Sequence, residues 1–308
     1  MLYFTQSEDI QALIDDLTEV KILWLDTEST DLNSKKSRLS LIQVLAYPED
    51  TNGSRTYIFD VLDNPDIVDY FIEKIMVNDQ INKIFHNAQH DLQFLGGKKA
   101  KNVTCTLKLS KTIPYHILPV PNHTLKTLTE YLTDFKNVSK EEQTSDWSQR
   151  PLSQKQLDYA KMDPVYLAHI HGRLLELNQQ SNPDPNQDNL TEIGKRYQEI
   201  KPEWQLLKSE IDNLETRAKN AMKAQNQTEN FAFTLSSYDR TTIKVDFAEL
   251  AQIVINQGID LHFSITLDKN LQKQLGELLN QLSLKKETIQ SWRLTSKDLE
   301  EDSEEEIF

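Results

Sequence analysis

The stretch that decides the fold is Ile22-Leu23-Trp24-Leu25-Asp26-Thr27-Glu28. Its apolar part, bounded by polar residues, is typical of a buried strand. Because side chains alternate between the two faces of a strand, Asp26 and Glu28 are expected to leave on the same face. Two neighbouring carboxylates repel each other, so a positive partner or a bound proton has to relieve the repulsion. The strand end therefore indicates a site for a cation or a shared proton.

The segments around this strand predict a mixed sheet with helices packed on it. Further strands are expected at 39–46, 56–60, 83–86 and 103–107, and helices at 8–19, 64–77, 88–95, 125–132 and 153–177. Ser153, with Gln156 three residues later, is a capping-box pattern for the last helix. Three strands in succession, followed by alternating strands and helices, favour a mixed sheet. The predicted fold class is α/β, with a five-stranded sheet.

The second half of the chain predicts a separate, smaller domain. Residues 179–189 have the composition of a linker between a domain at 1–178 and a region at 190–297. That region is expected to be a small α+β domain of unknown role, with a hairpin across 231–245, a strand at 261–267, and helices after Asp246 and Asp268. It begins with apolar residues spaced three and four apart: Trp204, Leu207, Ile211, Leu214, Ala218 and Ala221. Such a helix either packs within its own domain or pairs with a second copy as a homodimer.

Composition argues against several classes of protein. The formal net charge of −14 disfavours a strongly basic nucleic-acid coat. Seven acids and no base in residues 298–308 predict a disordered acidic tail, with autoinhibition by polyanion mimicry as the alternative. No apolar run is long enough to span a bilayer, and the first residues do not have the pattern of a secretory signal. The single cysteine, Cys105, fits a reducing cytoplasm.

Two more carboxylates stand out by their surroundings. Asp91 follows the predicted strand at 83–86. Asp163 lies four residues after Tyr159 on a predicted helix, which places the two side chains on one face. Pro164 beside Asp163 indicates a kinked helix that continues, because the apolar period persists beyond it. Taken alone, each of these signals is weak.

In this order and spacing, the motifs resemble the DEDDy branch of the 3′–5′ exonucleases, and within it ribonuclease D. The matching residues are Leu25-Asp26-Thr27-Glu28 with Arg38-Leu39-Ser40-Leu41-Ile42-Gln43-Val44, then His86-Asn87-Ala88 with Asp91-Leu92, then Tyr159-Ala160 with Asp163. The segments at 142–148 and 150–153 look like those preceding the third motif in ribonuclease D relatives. The resemblance covers 1–178 and implies a ribonuclease H-like fold. No helicase-and-ribonuclease-D C-terminal domain is recognisable in 190–308.

The resemblance implies hydrolysis assisted by two divalent cations, Mg²⁺ or Mn²⁺. Two cations about 3.5–4 Å apart can activate a water and stabilise the leaving oxygen, and hard cations prefer carboxylate ligands. By the family pattern, Tyr159 orients the attacking water, and the metal ligands are Asp26, Glu28, Asp91 and Asp163. The histidine branch of the family has His five residues before the last acid. Here that residue is Asp158, so the tyrosine branch fits better.

Candidates for substrate contacts lie beside the motifs or in local basic clusters. They are Thr27, Leu32, Gln43, His86, Asn87, His90, Lys98, Lys99 and Arg150. Stacking and phosphate contacts from such residues can hold a single-stranded 3′ end without sequence preference. His90 stands where relatives often carry an aromatic residue, and a lysine run after two glycines is also typical of a plain solvated loop.

Three functions are compatible with these patterns. The first is a metal-dependent 3′–5′ exoribonuclease that releases 5′-nucleoside monophosphates in RNA 3′-end processing or decay. The second is an exonuclease on single-stranded DNA, which is favoured less because no polymerase or helicase segment is recognisable. The third is a catalytically inactive scaffold that binds nucleic acid. The complete set of four acids and Tyr159 argues against it.

Overall fold

The computed structural model describes residues 2–30, 37–242, 245–260, 264–285 and 287–292. Two compact units, Met1–Asp188 and Asn189–Phe308, divide the chain, and each is described by itself. Leu32 and the acidic run at 298–308 lie outside the described residues. Within the described ranges, no helix combines the length and apolar character needed to cross a membrane.

Among the described residues of the first unit, six strands form one sheet: β1 (Leu2–Phe4), β2 (Ile22–Ser29), β3 (Leu39–Leu45), β4 (Tyr57–Asp60), β5 (Asn82–Phe85) and β6 (Val103–Cys105). Their order is β1-β4-β3-β2-β5-β6. β3 is antiparallel to β2 and β4, and the other pairs are parallel. The mixed α/β sheet is confirmed, but the count of five strands was wrong. β1 has only three residues, too few to show alternation, and pairing with β4 holds it at the edge.

Helices cover both faces of this sheet: α1 (Ser7–Leu17), α2 (Pro65–Phe71), α3 (Thr106–Thr112), α4 (Leu125–Leu132) and α5 (Gln154–Ser181). On one face, α1, α2 and the π-helical turn Ile72–Met76 pack on Leu25 and Val44. On the other, α4 and α5 pack on Trp24 and Leu45. Because both faces are covered, β3 is buried at every position, and its sequence is a nearly continuous apolar run.

Helix α5 carries the third motif across the sheet. The hydroxyl of Ser153 accepts from the Gln156 backbone N–H, and the Gln156 side chain accepts from the Ser153 N–H, which confirms the predicted capping box. The helix continues through Pro164, also as predicted. Ala160 is fully buried in one cluster with Leu41 and Ile58 of the central strands. This packing holds the motif above β3 and β4, beside the end of β2.

The segment that carries Asp91 differs from the prediction. The helix expected at 88–95 forms only a short 3₁₀ turn, Asp91–Gln93. Asn87 and Gly96 both have left-handed backbone conformations, with φ of 62° and 87°. These chain reversals bracket the segment, so a longer helix has no room between them.

The described part of the second unit is helical. It contains α6 (Leu190–Ala224), α7 (Phe247–Gln257), α8 (Lys269–Leu275) and a 3₁₀ turn, Gly276–Gln281. Asp246 and Asp268 cap α7 and α8 through their carboxylates, as predicted. Gly258, with φ of 62°, ends α7.

The predicted α+β character of this unit was wrong for the residues that are described. The hairpin expected across 231–245 does not form among the described residues, where an isolated bridge joins Glu229 to Thr234 instead. No strand forms at 264–267, and residues 243, 244 and 261–263 lie outside the described ranges. Phe231 is fully exposed, so the sequence pattern had no apolar surface to pack against, and an isolated hairpin is marginally stable at best.

Candidate active site

Three carboxylates from the first and third motifs meet at one point. β2 presents Asp26 and Glu28, and α5 presents Asp163. One oxygen of each carboxylate lies within 4.8 Å of those of the other two. Asp26 is half-buried, whereas Glu28 and Asp163 are only 8% and 7% exposed. Charged groups packed this closely with little contact to water require a counter-charge or a proton.

Asp91 reaches the same cleft from the 3₁₀ turn after β5. Its side chain is 4% exposed, and its Oδ1 accepts a hydrogen bond from the Thr27 hydroxyl at 2.7 Å. The four carboxylates line one cleft of about 670 Å³. The structure thus brings together all the acids that the sequence nominated.

Burial raises the pKa of each of the four acids in the cleft, and repulsion between them adds to the shift for Asp26 and Glu28. Burial raises the pKa of Asp91 and of Asp163 to about 7. The pKa of Asp26 is raised well above its usual value by burial and then by the charges of Asp163 and Asp91. Burial and then the Asp26 charge do the same to the pKa of Glu28. A bound cation would relieve the cost of ionising these carboxylates. Their oxygen atoms are the ligands that hard divalent cations such as Mg²⁺ or Mn²⁺ prefer.

Tyr159 lies one turn before Asp163 on α5, and its hydroxyl is hydrogen-bonded to the Asp163 carboxylate. Burial raises the pKa of the phenol far above its usual value, and the charges of Asp163 and Glu28 raise it further. The ring packs against Trp147, with centroids 6.2 Å apart. Tyr159 therefore presents a protonated hydroxyl to the cleft, which can donate a hydrogen bond but cannot act as a base.

Four of the predicted substrate residues line this cleft: Thr27, His86, Asn87 and His90. The Nδ1 of His86 lies 2.9 Å from the Thr106 hydroxyl. Burial lowers the pKa of His86 to about 4, so the ring is neutral at pH 7. The ring of His90 packs edge-on against Phe94, with centroids 5.9 Å apart. Both histidines are thus held in fixed orientations on the wall of the cleft.

Arg150 does not line the cleft, which corrects the prediction of a phosphate contact. Its guanidinium donates to Asp60 at 2.7 Å (Nη2 to Oδ1) and to the Ser40 hydroxyl at 2.9 Å. Its Nη1 donates to the backbone carbonyls of Trp147 and Gln149. Burial alone would raise the pKa of Asp60, but its bonds to Arg150 and Tyr3 hold that pKa below the usual value. The donors of Arg150 are therefore used inside the protein.

Three more predicted contacts also lie away from the cleft. Lys98 and Lys99 are exposed in the 3₁₀ turn Gly97–Lys99, which does not contribute to its lining. Gln43 is fully buried within β3, so no substrate can reach it. The prediction for Gln43 rested on its position beside the first motif, and that position did not reveal that both faces of β3 are covered.

Three lysines that the sequence did not single out line the cleft instead. Lys111 lies in the last turn of α3, Lys126 lies in the first turn of α4, and Lys140 precedes the 3₁₀ turn at 141–144. The positive charge of Lys140 acts to lower the pKa of both Asp163 and His86. The lysines come from three separate segments, so no local pattern in the sequence groups them.

Comparisons with known proteins identify the family to which the first unit is similar. Residues 1–178 match the model of a family described as 3′–5′ exonuclease. The exosome complex exonuclease RRP6 of Saccharomyces cerevisiae is 28% identical over 176 residues, which cover 56% of this chain and 22% of that protein. Ribonuclease D of a Shewanella species is 24% identical over 301 residues, covering 96% of this chain and 70% of the relative. The exonuclease domain of Aedes aegypti Nibbler superposes with a TM-score of 0.49 at 21% identity, covering 60% of this chain and 91% of that domain. The chain thus spans about a fifth of the yeast relative.

Proposed function

Because the chain belongs to the 3′–5′ exonuclease family and is ribonuclease D-like, we propose that it trims single-stranded RNA from the 3′ end and releases 5′-nucleoside monophosphates. The observation that supports this most directly is the approach of Asp26, Glu28 and Asp163, whose ligand oxygens lie within 4.8 Å of one another. Asp91 and Tyr159 line the same cleft. The names of the ribonuclease D and RRP6 relatives favour RNA over DNA as the substrate.

Asp26, Glu28, Asp91 and Asp163 would hold two divalent cations, Mg²⁺ or Mn²⁺. Bound cations would supply the Lewis acidity that ionises water near neutral pH and neutralises charge on the leaving oxygen. The residues of the chain provide the remaining functions. The carboxylates fix the place of the reaction on a rigid strand and helix, and the side chains around them limit access of bulk water.

Tyr159 orients the attacking water in this proposal, because its protonated hydroxyl faces the cleft and its ring is held by Trp147. Replacing Tyr159 by Phe is expected to lower kcat about 10²-fold and to change KM little, since the loss is one of orientation. Steady-state kinetics on a labelled oligonucleotide would measure both constants. Tyr131→Phe, which removes a hydroxyl from an exposed tyrosine of α4, is the control. Equal kinetics for Tyr159→Phe and the native protein would contradict the assigned role.

The basic side of the cleft supports binding of a polyanion despite the overall negative charge. Two cations would balance the four carboxylates, and Lys111, Lys126 and Lys140 would then leave the cleft positive. Single-stranded nucleic acid is held by such a charged groove together with stacking on ring side chains. His86 and His90 offer such rings on the same surface.

Charge reversal at Lys111 and Lys126 is therefore expected to raise KM for a single-stranded oligonucleotide about tenfold at low salt, with a smaller effect on kcat. The dependence of log KM on log salt should weaken by about 0.7 for each phosphate that the variant no longer neutralises. The pair Lys98→Glu and Lys99→Glu makes the same change of charge away from the cleft. If both pairs of substitutions raised KM equally, the cleft lysines would have no specific part in binding.

The choice between RNA and DNA is decided by digesting labelled RNA and DNA oligonucleotides of the same sequence side by side. The proposal expects faster release of nucleoside monophosphates from RNA, in Mg²⁺ or in Mn²⁺. Preference for DNA would support the single-stranded DNA exonuclease. Binding of either oligonucleotide without any release would support the inactive scaffold.

The second unit presents an apolar stripe for which we propose pairing with a second copy of the chain. On α6, Trp204, Leu207, Ile211 and Leu214 recur at heptad spacing and are 47–56% exposed. The stripe continues to Ala221. Light scattering of the native protein and of the Leu207→Glu, Ile211→Glu variant would test this, and a native monomer at micromolar concentration would contradict it.

The proposal keeps 1–178 as the nuclease domain, 179–189 as a linker and 190–297 as an accessory region. It places the reaction in the cytoplasm.

A further inference from the structure

Gln43 lies in the middle of β3, and its side chain is completely buried. Neither its Nε2 nor its Oε1 has a hydrogen-bond partner among the described residues. A buried polar atom without a partner costs about 1–3 kcal/mol. An apolar side chain would avoid this cost, so the amide at this position requires a reason.

The strand register places Gln43 directly opposite Asp26. Residues opposite each other in an antiparallel pair point to the same face, with Cβ atoms about 4.5–5.5 Å apart. On the other side, Gln43 is opposite Ile58 of β4. Its neighbours two residues away on the same face, Leu41 and Leu45, are fully buried. Among these four neighbours, Asp26 alone offers a polar group.

The Asp26 carboxylate has acceptor capacity to spare. It accepts a hydrogen bond from the Thr27 backbone, and one of its oxygens belongs to the group of ligand atoms shared with Glu28 and Asp163. A carboxylate offers about four lone-pair sites, so at least one remains for a donor from the strand beside it. The amide of Gln43 is the donor that the register provides.

We propose that Gln43 is a positioning residue: when cations occupy the site, its Nε2, unpaired among the described residues, turns to donate to the Asp26 carboxylate and holds it in the orientation that the cation site requires. Hydrogen bonds to ligating carboxylates fix their orientation, and removing the donor typically weakens metal binding or activity by about 10–100-fold. This inference rests on the proposed function, because the cation site is part of it. It replaces the role in substrate contact, which the burial of Gln43 excludes.

The substitution Gln43→Met tests the inference, because methionine has a similar length and no donor. Mn²⁺ is titrated calorimetrically into the full chain without nucleic acid. The dissociation constant for Mn²⁺ is expected to rise about 10–100-fold, and kcat is expected to recover in part at saturating Mn²⁺. The melting temperature in EDTA should stay the same or rise, since an unpaired amide has been removed. The control Leu45→Met introduces methionine two residues further along β3, on the same buried face. It should leave the Mn²⁺ affinity unchanged.

The outcomes separate this inference from the function on which it rests. If the native chain neither binds Mn²⁺ nor releases nucleotides, the proposed function fails and the inference fails with it. If the native chain binds Mn²⁺ and Gln43→Met binds it equally well, the inference alone is overturned. If Leu45→Met weakens Mn²⁺ binding as much as Gln43→Met, the effect belongs to packing in the core, and the positioning role is likewise overturned.

Discussion

Replacing Asp163 by Asn is expected to lower the release of nucleoside monophosphates by at least about 10³-fold. The reason is that Asp163 provides one of the three ligand oxygens that lie within 4.8 Å of one another. An amide has no negative charge to hold a cation. A cation stabilises the transition state by several kcal/mol, and each 1.36 kcal/mol corresponds to about a tenfold change in rate. Asp26→Asn is expected to have the same effect. Release of mononucleotides from a 3′-labelled oligonucleotide would measure both.

A matched control lies on the same helix. Asp158 is five residues before Asp163, but it is exposed to solvent and paired with Lys161 at 2.6 Å. Exposed ion pairs contribute little, so Asp158→Asn should retain activity within about twofold. Asp158 occupies the position of the histidine in the other branch of the family, so this control also tests whether the chain works as a member of the tyrosine branch. Full activity in Asp163→Asn, or a loss in Asp158→Asn as large as in Asp163→Asn, would refute the site.

In EDTA, the Asp26→Asn protein is expected to be more stable than the native protein at pH 8 and about equally stable at about pH 4, where the unfolded chain also keeps the proton. Burial and the neighbouring charges raise the pKa of Asp26 in the folded state, so the folded native chain keeps a proton that the unfolded chain releases above about pH 4. The stability of the native protein therefore falls as the pH rises. The difference between the two proteins should grow steadily as the pH rises from about 4 to 8, measured by thermal or urea unfolding.

Mn²⁺ should reverse this order of stability. A cation that binds only the folded native chain stabilises it by about 2.7 kcal/mol at a hundred times its dissociation constant, whereas Asp26→Asn should respond weakly. Comparing the two proteins at each pH removes contributions that they share, such as that of His86, whose lowered pKa acts in the opposite direction. Identical stability in EDTA at pH 8, with no response to Mn²⁺ in either protein, would show that the four acids do not form a cation site.

The sequence indicated the strands and helices of the first unit well where their patterns were long. Two such patterns are the apolar run of β3 and the capping box of α5. Both are local, because residues close along the chain decide which face a side chain takes and which backbone groups it can cap. The three-residue β1 and the turn around Asp91 were not predictable in this way. Pairing with β4 determines the first, and two left-handed residues determine the second.

In the second unit, local signals predicted caps but not the architecture. Asp246 and Asp268 cap helices because a cap needs only its own first turn. The hairpin expected across 231–245 needed an apolar surface against which to pack, and alternating residues alone do not supply one. The pattern was present in the sequence, but the described residues of this segment form no hairpin.

The sequence by itself predicted the acids of the proposed site and the chemistry that they favour, because the residues of each motif are close along the chain and their types fit what a divalent cation binds. Only the tertiary structure decided the surroundings of those acids. It buried Gln43 opposite Asp26, used Arg150 to hold Asp60, and brought three lysines from separate segments to one cleft. The physical reason is that burial and long-range charge depend on which distant segments meet, and residues far apart in sequence carry no local record of that meeting. The strand end at Asp26 and Glu28 thus predicted a cation site, and the fold around it decided which other side chains lie beside these acids.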